Sequence, residues 1–329
     1  GRMLPATNRF PSAMDGKGFK PLADQIHAMG LKFGFHMMRG IPRQAVHDNL
    51  PIADSKFHAA DAADTSDTCG WDDGNYGVAD NEAGQAYYDS LLKLYAQWGL
   101  DFLKVDCIAD HPYKASEIRQ IALAIQHSGR PIVLSLSPGP AQIAHAAELA
   151  RYAQMWRIAN DIWDGWQLAH VADDFPNGLV TAFDNLAKWN PYVRPGQWPD
   201  ADMLPFGSLT PHPGWGEPRL SRLTLDEERT QFSLWAIARS PLILGANLTK
   251  LDDATRTMIT NPDIIALDQA GSGAHPVTDL PPGFEHARVW ETTLRSKPVL
   301  AVFNLDDAPV TLQAKWTQFG LPGGAQPVP

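Results

Sequence analysis

The chain has 329 residues, 44% hydrophobic and 19% charged, a globular balance that excludes disorder and leaves room for one large domain and a small one. A formal charge of −10 repels phosphate backbones and excludes nucleic acid as a natural partner, and no apolar run approaches the ~20 residues of a membrane-spanning helix. Two cysteines, Cys69 and Cys107, are too few for a disulfide framework or a structural zinc cluster.

Along the first half, a helix, a glycine stop and an apolar strand recur. Leu22, Ile26 and Met29 mark a helical face closed by Gly30, and Leu31 to His36 reads as a buried strand. Tyr88, Leu91, Leu92, Tyr95 and Trp98 form the next face, followed by Gly99 and a strand from Leu100 to Asp106. Ile118, Ile121 and Ile125, then Gly129, lead into a strand from Pro131 to Ser137, and a fourth unit runs from Ala146 into Met155 to Asp161. Such repeats predict a parallel sheet with crossover helices, either a (β/α)8 barrel or an open sheet. In both, the polar residues that finish each strand collect at the C-terminal edge, where sites form.

Between the first two strands, Gly40 to Glu82 is far longer than an ordinary connection and carries His47, His58, Cys69 and Trp71. Its acids do not fit an EF-hand and its histidines lack zinc spacing, so no metal site is predicted. Further on, Trp198 to Leu204 reads as a short strand and loop, followed by a Pro/Gly-rich stretch from Pro205 to Pro218. Thr224 with Glu227 marks a capping box for the next helix, Pro241 to Gly245 a last strand, and Ala254 to Ile259 a helix. Ala287 to Glu291 and Val299 to Asn304 read as strands of an all-β module. The expected domains are therefore 1–273, the α/β unit, and 274–329, the start of the β module.

No Walker loop, strand-linked GxGxxG, GxSxG elbow or CxxC motif is present, which removes most nucleotide, serine-hydrolase and redox readings. What remains is a set of strand-end carboxylates: Asp106, Asp161, Asp200 and Asp202. A facing carboxylate pair is what glycoside hydrolysis needs, one to attack the anomeric carbon and one to protonate the leaving oxygen. Lys104 lies two before Asp106 and shares its side of the strand, where an ammonium would keep the acid ionised. Strand-end acids also occur simply because an exposed sheet edge needs polar residues. Spacing alone leaves both readings open.

Longer stretches carry a resemblance. Gly18 to Ala23 with Gly30 to Gly34, Phe102 to Asp106, Trp156 to Ile162, Trp198 to Leu204, Leu234 to Leu242 and Asn261 to Gln269, in this order over roughly residues 10–270, resemble glycoside hydrolase family 27, the α-galactosidases and α-N-acetylgalactosaminidases. The resemblance implies a (β/α)8 barrel followed by an antiparallel β-sandwich, and a retaining double displacement on terminal α-galactose-type sugars with no metal or organic cofactor. By position it implies Asp106 as nucleophile and Asp161 as acid/base. Lys104, Arg157 and Asp202 would contact sugar hydroxyls, with His36, Ser137 and Trp71 as further substrate-binding candidates. The expected partner is carbohydrate; oligomeric state and compartment are left open.

The departures from the family pattern refine these expectations. The family's strand-end Asp-Asp-Trp motif should lie before residue 1, so the barrel is expected to lack its first two strands here and the natural protein to begin earlier. Ser137-Pro138-Gly139-Pro140 occupies the position that separates galactose from N-acetylgalactosamine and makes room for a 2-acetamido group. His36 stands where the family commonly has Tyr. That would suit a β-L-arabinopyranosidase, whose sugar lacks the hydroxymethyl group, and a non-catalytic carbohydrate-binding relative is the remaining alternative. Cys69 matches a loop cysteine that the family bridges to one after the nucleophile, while Cys107 is one position off, leaving a bridge and two free thiols both open.

Overall fold

The computed structural model describes residues 3–168, 170, 171, 173–209, 217–321 and 323. Gly1, Arg2, the middle of the Pro/Gly-rich stretch and most of the tail after Leu321 lie outside the described residues. The chain divides into two compact units, Gly1–Arg157 and Ile158–Pro329.

In the first unit, helix α1 (Lys20–Ala28) leads to strand β1 (Gly34–Met38). The long connection after it is not irregular. It holds β2 (Ile41–Pro42), α2 (Arg43–His47), α3 (Ala59–Ala62), β3 (Ala63–Thr68) and β4 (Asn75–Val78), with the strands paired antiparallel in the order β2-β4-β3. Each of these pieces is too short for a periodic apolar pattern, which is why the sequence reads there as loop. Helix α4 (Glu82–Trp98) and strand β5 (Phe102–Asp106) follow, then α5 (Ala115–Ser128) with β6 (Val133–Leu136), and α6 (Ala146–Tyr152) with β7 (Met155–Arg157). The Asn81 side chain caps α4 by accepting from Gly84 N–H at 2.8 Å. Gly99 and Gly129 close α4 and α5 in the left-handed conformation, with φ of 88° and 72°. Those are the predicted stops, acting through the backbone freedom that only glycine has cheaply.

Within the first unit these four strands run parallel in the order β1-β5-β6-β7. Register aligns His36 with Lys104, Lys104 with Ser135 and Ser135 with Met155, so these residues share one face. The opposite face carries Met37, Leu103, Val105, Leu134, Leu136 and Trp156, none more than 7% exposed. A parallel sheet covered by apolar packing on both faces would show continuous hydrophobic runs. The alternation in β5, with Leu103 and Val105 buried and Lys104 and Asp106 half-buried, sets a polar face opposite the core. All four strands are shorter than predicted, because the flanking residues serve as strand-end loops.

Cys69 and Cys107 form a disulfide across 38 residues of sequence. It ties the segment after β3 to the residue following β5. By the chain-entropy account a loop of that length stabilises by roughly 4 kcal/mol. The Cys69→Ser/Cys107→Ser protein is expected to lose about that much in urea unfolding; a loss below about 1 kcal/mol would remove the bridge from any account of stability.

In the second unit, α7 (Leu179–Trp189) precedes β8 (Trp198–Asp200), and β9 (Ser208–Leu209) pairs antiparallel with β10 (Arg219–Leu220). Helix α8 (Leu225–Ala238) starts at the predicted capping box, Thr224 Oγ1 accepting from Glu227 N–H and the Glu227 carboxylate from Thr224 N–H. The expected strand at Pro241 to Gly245 is reduced to one parallel bridge, Leu204 with Leu244. Helices α9 (Asp253–Ile259) and α10 (Pro262–Ala270) follow, and β11 (Ser272–Pro276), β12 (Ala287–Leu294) and β13 (Lys297–Asn304) form an antiparallel sheet. Arg295 and Ser296, at φ of 52° and 63°, make the tight turn between β12 and β13, with the two positive φ values that such a hairpin requires. Phe284, Ala287 and Val289 are the centre of its small core.

Candidate active site

In the first unit the candidates cluster at the C-terminal end of the sheet. Asp106 is the last residue of β5, and its carboxylate is 21% exposed. Cys107 N–H donates to Asp106 Oδ1 at 2.8 Å, and His36 Nε2, from the neighbouring strand, lies 3.5 Å from Oδ2. Burial pushes the Asp106 carboxyl up, but the His36 ring, the Cys107 N–H and the Ser137 hydroxyl outweigh it and hold the group below its ordinary value. It is an ionised carboxylate under a partial roof of donors, which is the state a nucleophile needs.

Lys104 shares this face, as its spacing predicted, but among the described residues it makes no ion pair with Asp106. The partner is His36. Residues two apart on one strand stand nearly 7 Å apart along it, whereas the adjacent strand brings a ring within contact range. Ser137, just past the end of β6, is buried and donates its N–H to Val105 O at 2.9 Å, which sets its hydroxyl beside the acid. Arg157 closes β7, on the same side of its strand as Met155, and is buried. Trp71 is 53% exposed, two residues after Cys69, so the disulfide anchors its loop to the residue next to Asp106.

In the second unit, Asp161, Asp200 and Asp202 lie within one hydrogen-bonded frame. Asp161 N–H donates to Asn160 Oδ1 at 2.9 Å, and Asp161 O accepts from Asn177 N–H at 2.8 Å. The next residue, Ile162, donates its N–H to Asp202 Oδ2 at 2.9 Å, so the two segments are joined through a side chain. Asp202 adopts a left-handed φ of 80°, costly for a side chain other than glycine. Three contacts hold it there: its N–H donates to Asp200 Oδ1 at 2.8 Å, its carbonyl accepts from Trp235 Nε1 at 2.8 Å, and its carboxylate takes the Ile162 N–H. Asp200 is fully buried and accepts Ile158 N–H on its carbonyl at 2.9 Å.

Sequence reasoning passed over Arg39. It follows β1, is 2% exposed, and its Nε donates to Cys107 O at 2.6 Å. The signal was a cation placed directly after an apolar strand and before Gly40, a position where a cation is buried only if it is paired.

The family described as Alpha galactosidase A matches residues 68–270. "Alpha-galactosidase 2" of Arabidopsis thaliana is 26% identical over 323 residues, covering 98% of this chain and 66% of that protein. "Alpha-N-acetylgalactosaminidase" of Gallus gallus is 26% identical over 335 residues, covering 99% of this chain and 68% of that one. The chain thus spans about two thirds of the length of these curated relatives. A crystal structure of a GH27 β-L-arabinopyranosidase from Geobacillus stearothermophilus is 45% identical, superposes with a TM-score of 0.89, and is matched over 96% of this chain and 71% of its own. With the match extending over more than half its length, the chain belongs to glycoside hydrolase family 27, the α-galactosidase family.

Proposed function

We propose that the protein is a retaining exo-glycosidase acting on a terminal sugar of galactose configuration, α-D-galactose or N-acetyl-α-D-galactosamine. The observation that carries the reading is Asp106, ionised at a sheet edge beside His36, Ser137 and the Cys107 N–H. In this reading Asp106 attacks the anomeric carbon while Asp161 donates a proton to the departing oxygen. Asp161 then takes a proton from water as water displaces Asp106, so two inversions give net retention. Lys104, Arg157 and Asp202 hold the sugar hydroxyls. The parallel strands of the first unit, alternating in side-chain direction and with polar residues at their C-terminal ends, suit a (β/α)8 barrel, and a barrel followed by a β-sandwich is the architecture we assign to the whole protein.

A second reading has its own support: the 45% identity to a β-L-arabinopyranosidase. L-Arabinopyranose in the β-linkage has the ring stereochemistry of α-galactose without the hydroxymethyl group, and His36 would fill the vacated space. A panel of nitrophenyl α-D-galactoside, N-acetyl-α-D-galactosaminide and β-L-arabinopyranoside, with NMR of the first-formed anomer, tests both. Turnover of at least one with retained configuration is expected. Inversion, or no turnover of any, would sink the assignment, and preference for the arabinoside by more than about tenfold would decide for the second reading.

A further inference from the structure

Behind Asp106 lies a buried charge cluster that the reaction described above does not use. Arg39 sits at its centre. Its Nη1 donates to Glu117 Oε1 at 2.7 Å, and Nη1 and Nη2 reach the two oxygens of Asp67 at 3.0 and 2.9 Å. Lys114 Nζ lies 2.7 Å from Asp67 Oδ2. The Tyr88 hydroxyl donates to Glu117 Oε2 at 2.5 Å and accepts Gly40 N–H at 3.2 Å. Four elements thus meet: the end of β1, strand β3, helix α4, and helix α5 with Lys114 just before it.

The cluster has one outlet toward the sheet edge. Arg39 N–H donates to Asp106 O at 3.1 Å, and its Nε donates to Cys107 O at 2.6 Å. Between these two carbonyls Cys107 takes a left-handed φ of 62°. A non-glycine residue does not hold that conformation without external constraint. Two constraints act on Cys107, the guanidinium on its carbonyl and the bond from its sulfur to Cys69. The peptide that joins Asp106 to Cys107, whose carbonyl takes the Arg39 N–H, carries the N–H that donates to Asp106 Oδ1.

We propose that Arg39 is a positioning residue for the Asp106 carboxylate, acting through the backbone of Cys107. The inference rests on the assignment of Asp106 as nucleophile. A rigid fork suits the task, because it binds two carboxylates and still has Nε left for the carbonyl; a lysine ammonium lacks that geometry. The disulfide and the guanidinium share the work, so the bridge serves site geometry as well as chain entropy. The other groups near Asp106 are His36, Lys104 and Ser137, and Arg39 contacts none of them.

The test compares Arg39→Lys with the unchanged protein on an aryl glycoside, with activity normalised to sites titrated by a fluorosugar inactivator. Lysine keeps the charge and removes the fork. Expected is an about 10- to 100-fold fall in kcat with KM within about threefold, the scale of a small misplacement of a reacting group. The acid limb of kcat/KM should move up by about half a pH unit or more, since losing the Cys107 N–H contact disfavours the ionised carboxylate. Should Arg39→Lys not fold, Asp67→Asn, which leaves Arg39 with one carboxylate fewer, should move kcat and the limb the same way by less. A wild-type kcat per titrated site with an unmoved limb, in whichever variant folds, overturns the proposal, whatever its melting temperature. Asp106→Asn serves as control. If it is inactive while the Arg39 variant is normal, the positioning role alone falls; if it is active, the assignment of Asp106 falls first.

Discussion

Replacing Asp106 by Asn should lower kcat/KM by about 10⁴-fold or more, the scale seen when a member of a covalent catalytic unit is removed. The amide has the size of the carboxylate and can keep the Cys107 N–H contact at Oδ1, so folding is not the reason for the loss. What disappears, on the proposed assignment, is the charge that attacks carbon. Asp106→Ala opens a complementary experiment, because azide can occupy the space the carboxylate leaves. It should restore aglycone release and yield a glycosyl azide of inverted configuration, one displacement replacing two. Rescue with retained configuration, or full activity of Asp106→Asn, would assign the nucleophile elsewhere.

Asp161→Ala is the second large effect, and its signature differs. General acid and base assistance is worth about 10²- to 10⁴-fold, but only where the leaving group needs a proton. Hydrolysis of a galactoside with a sugar leaving group should therefore fall by about 10³-fold, while the first step on a dinitrophenyl glycoside changes little. On that activated substrate the covalent intermediate should accumulate, because no base is left to activate water. Added azide should discharge it with retained configuration. A uniform loss across leaving groups would deny Asp161 the proton-transfer role. The contacts that hold the local frame do not run through that side chain: Asp161 is anchored through its backbone to Asn160 and Asn177, while its neighbour Ile162 is held by Asp202. Deleting the Asp161 side chain removes none of these.

Much of the scaffold was legible because its signals are local. Gly99 and Gly129 stop helices through their own φ, Thr224 and Glu227 cap a helix three residues apart, and Lys104 and Asp106 share a strand face because side chains alternate. The pairing of Cys69 with Cys107, which resemblance left open, was settled by the fold. The connection from Gly40 to Glu82 was harder. Its strands of two to six residues pair with one another across a bulge and carry no period long enough to detect. The strand expected at Pro241 to Gly245 failed for the opposite reason: an apolar run without a partner along its length makes only a bridge.

The chain by itself determined that polar residues follow the apolar strands, and that Lys104 and Asp106 share one side of β5. Helix stops, alternation and caps act over a few residues, and those residues are written next to each other. What surrounds Asp106 was decided by tertiary structure alone. Lys104 was the expected charge beside it, yet His36, 70 positions away and one strand over, makes the contact, and Arg39, Asp67 and Glu117 converge behind it from three separate elements. Cross-strand register and helix packing set those distances, and both depend on burying the apolar face of the whole sheet rather than on any local preference. The acid was readable in the sequence, and the groups that hold it ionised and in place were not.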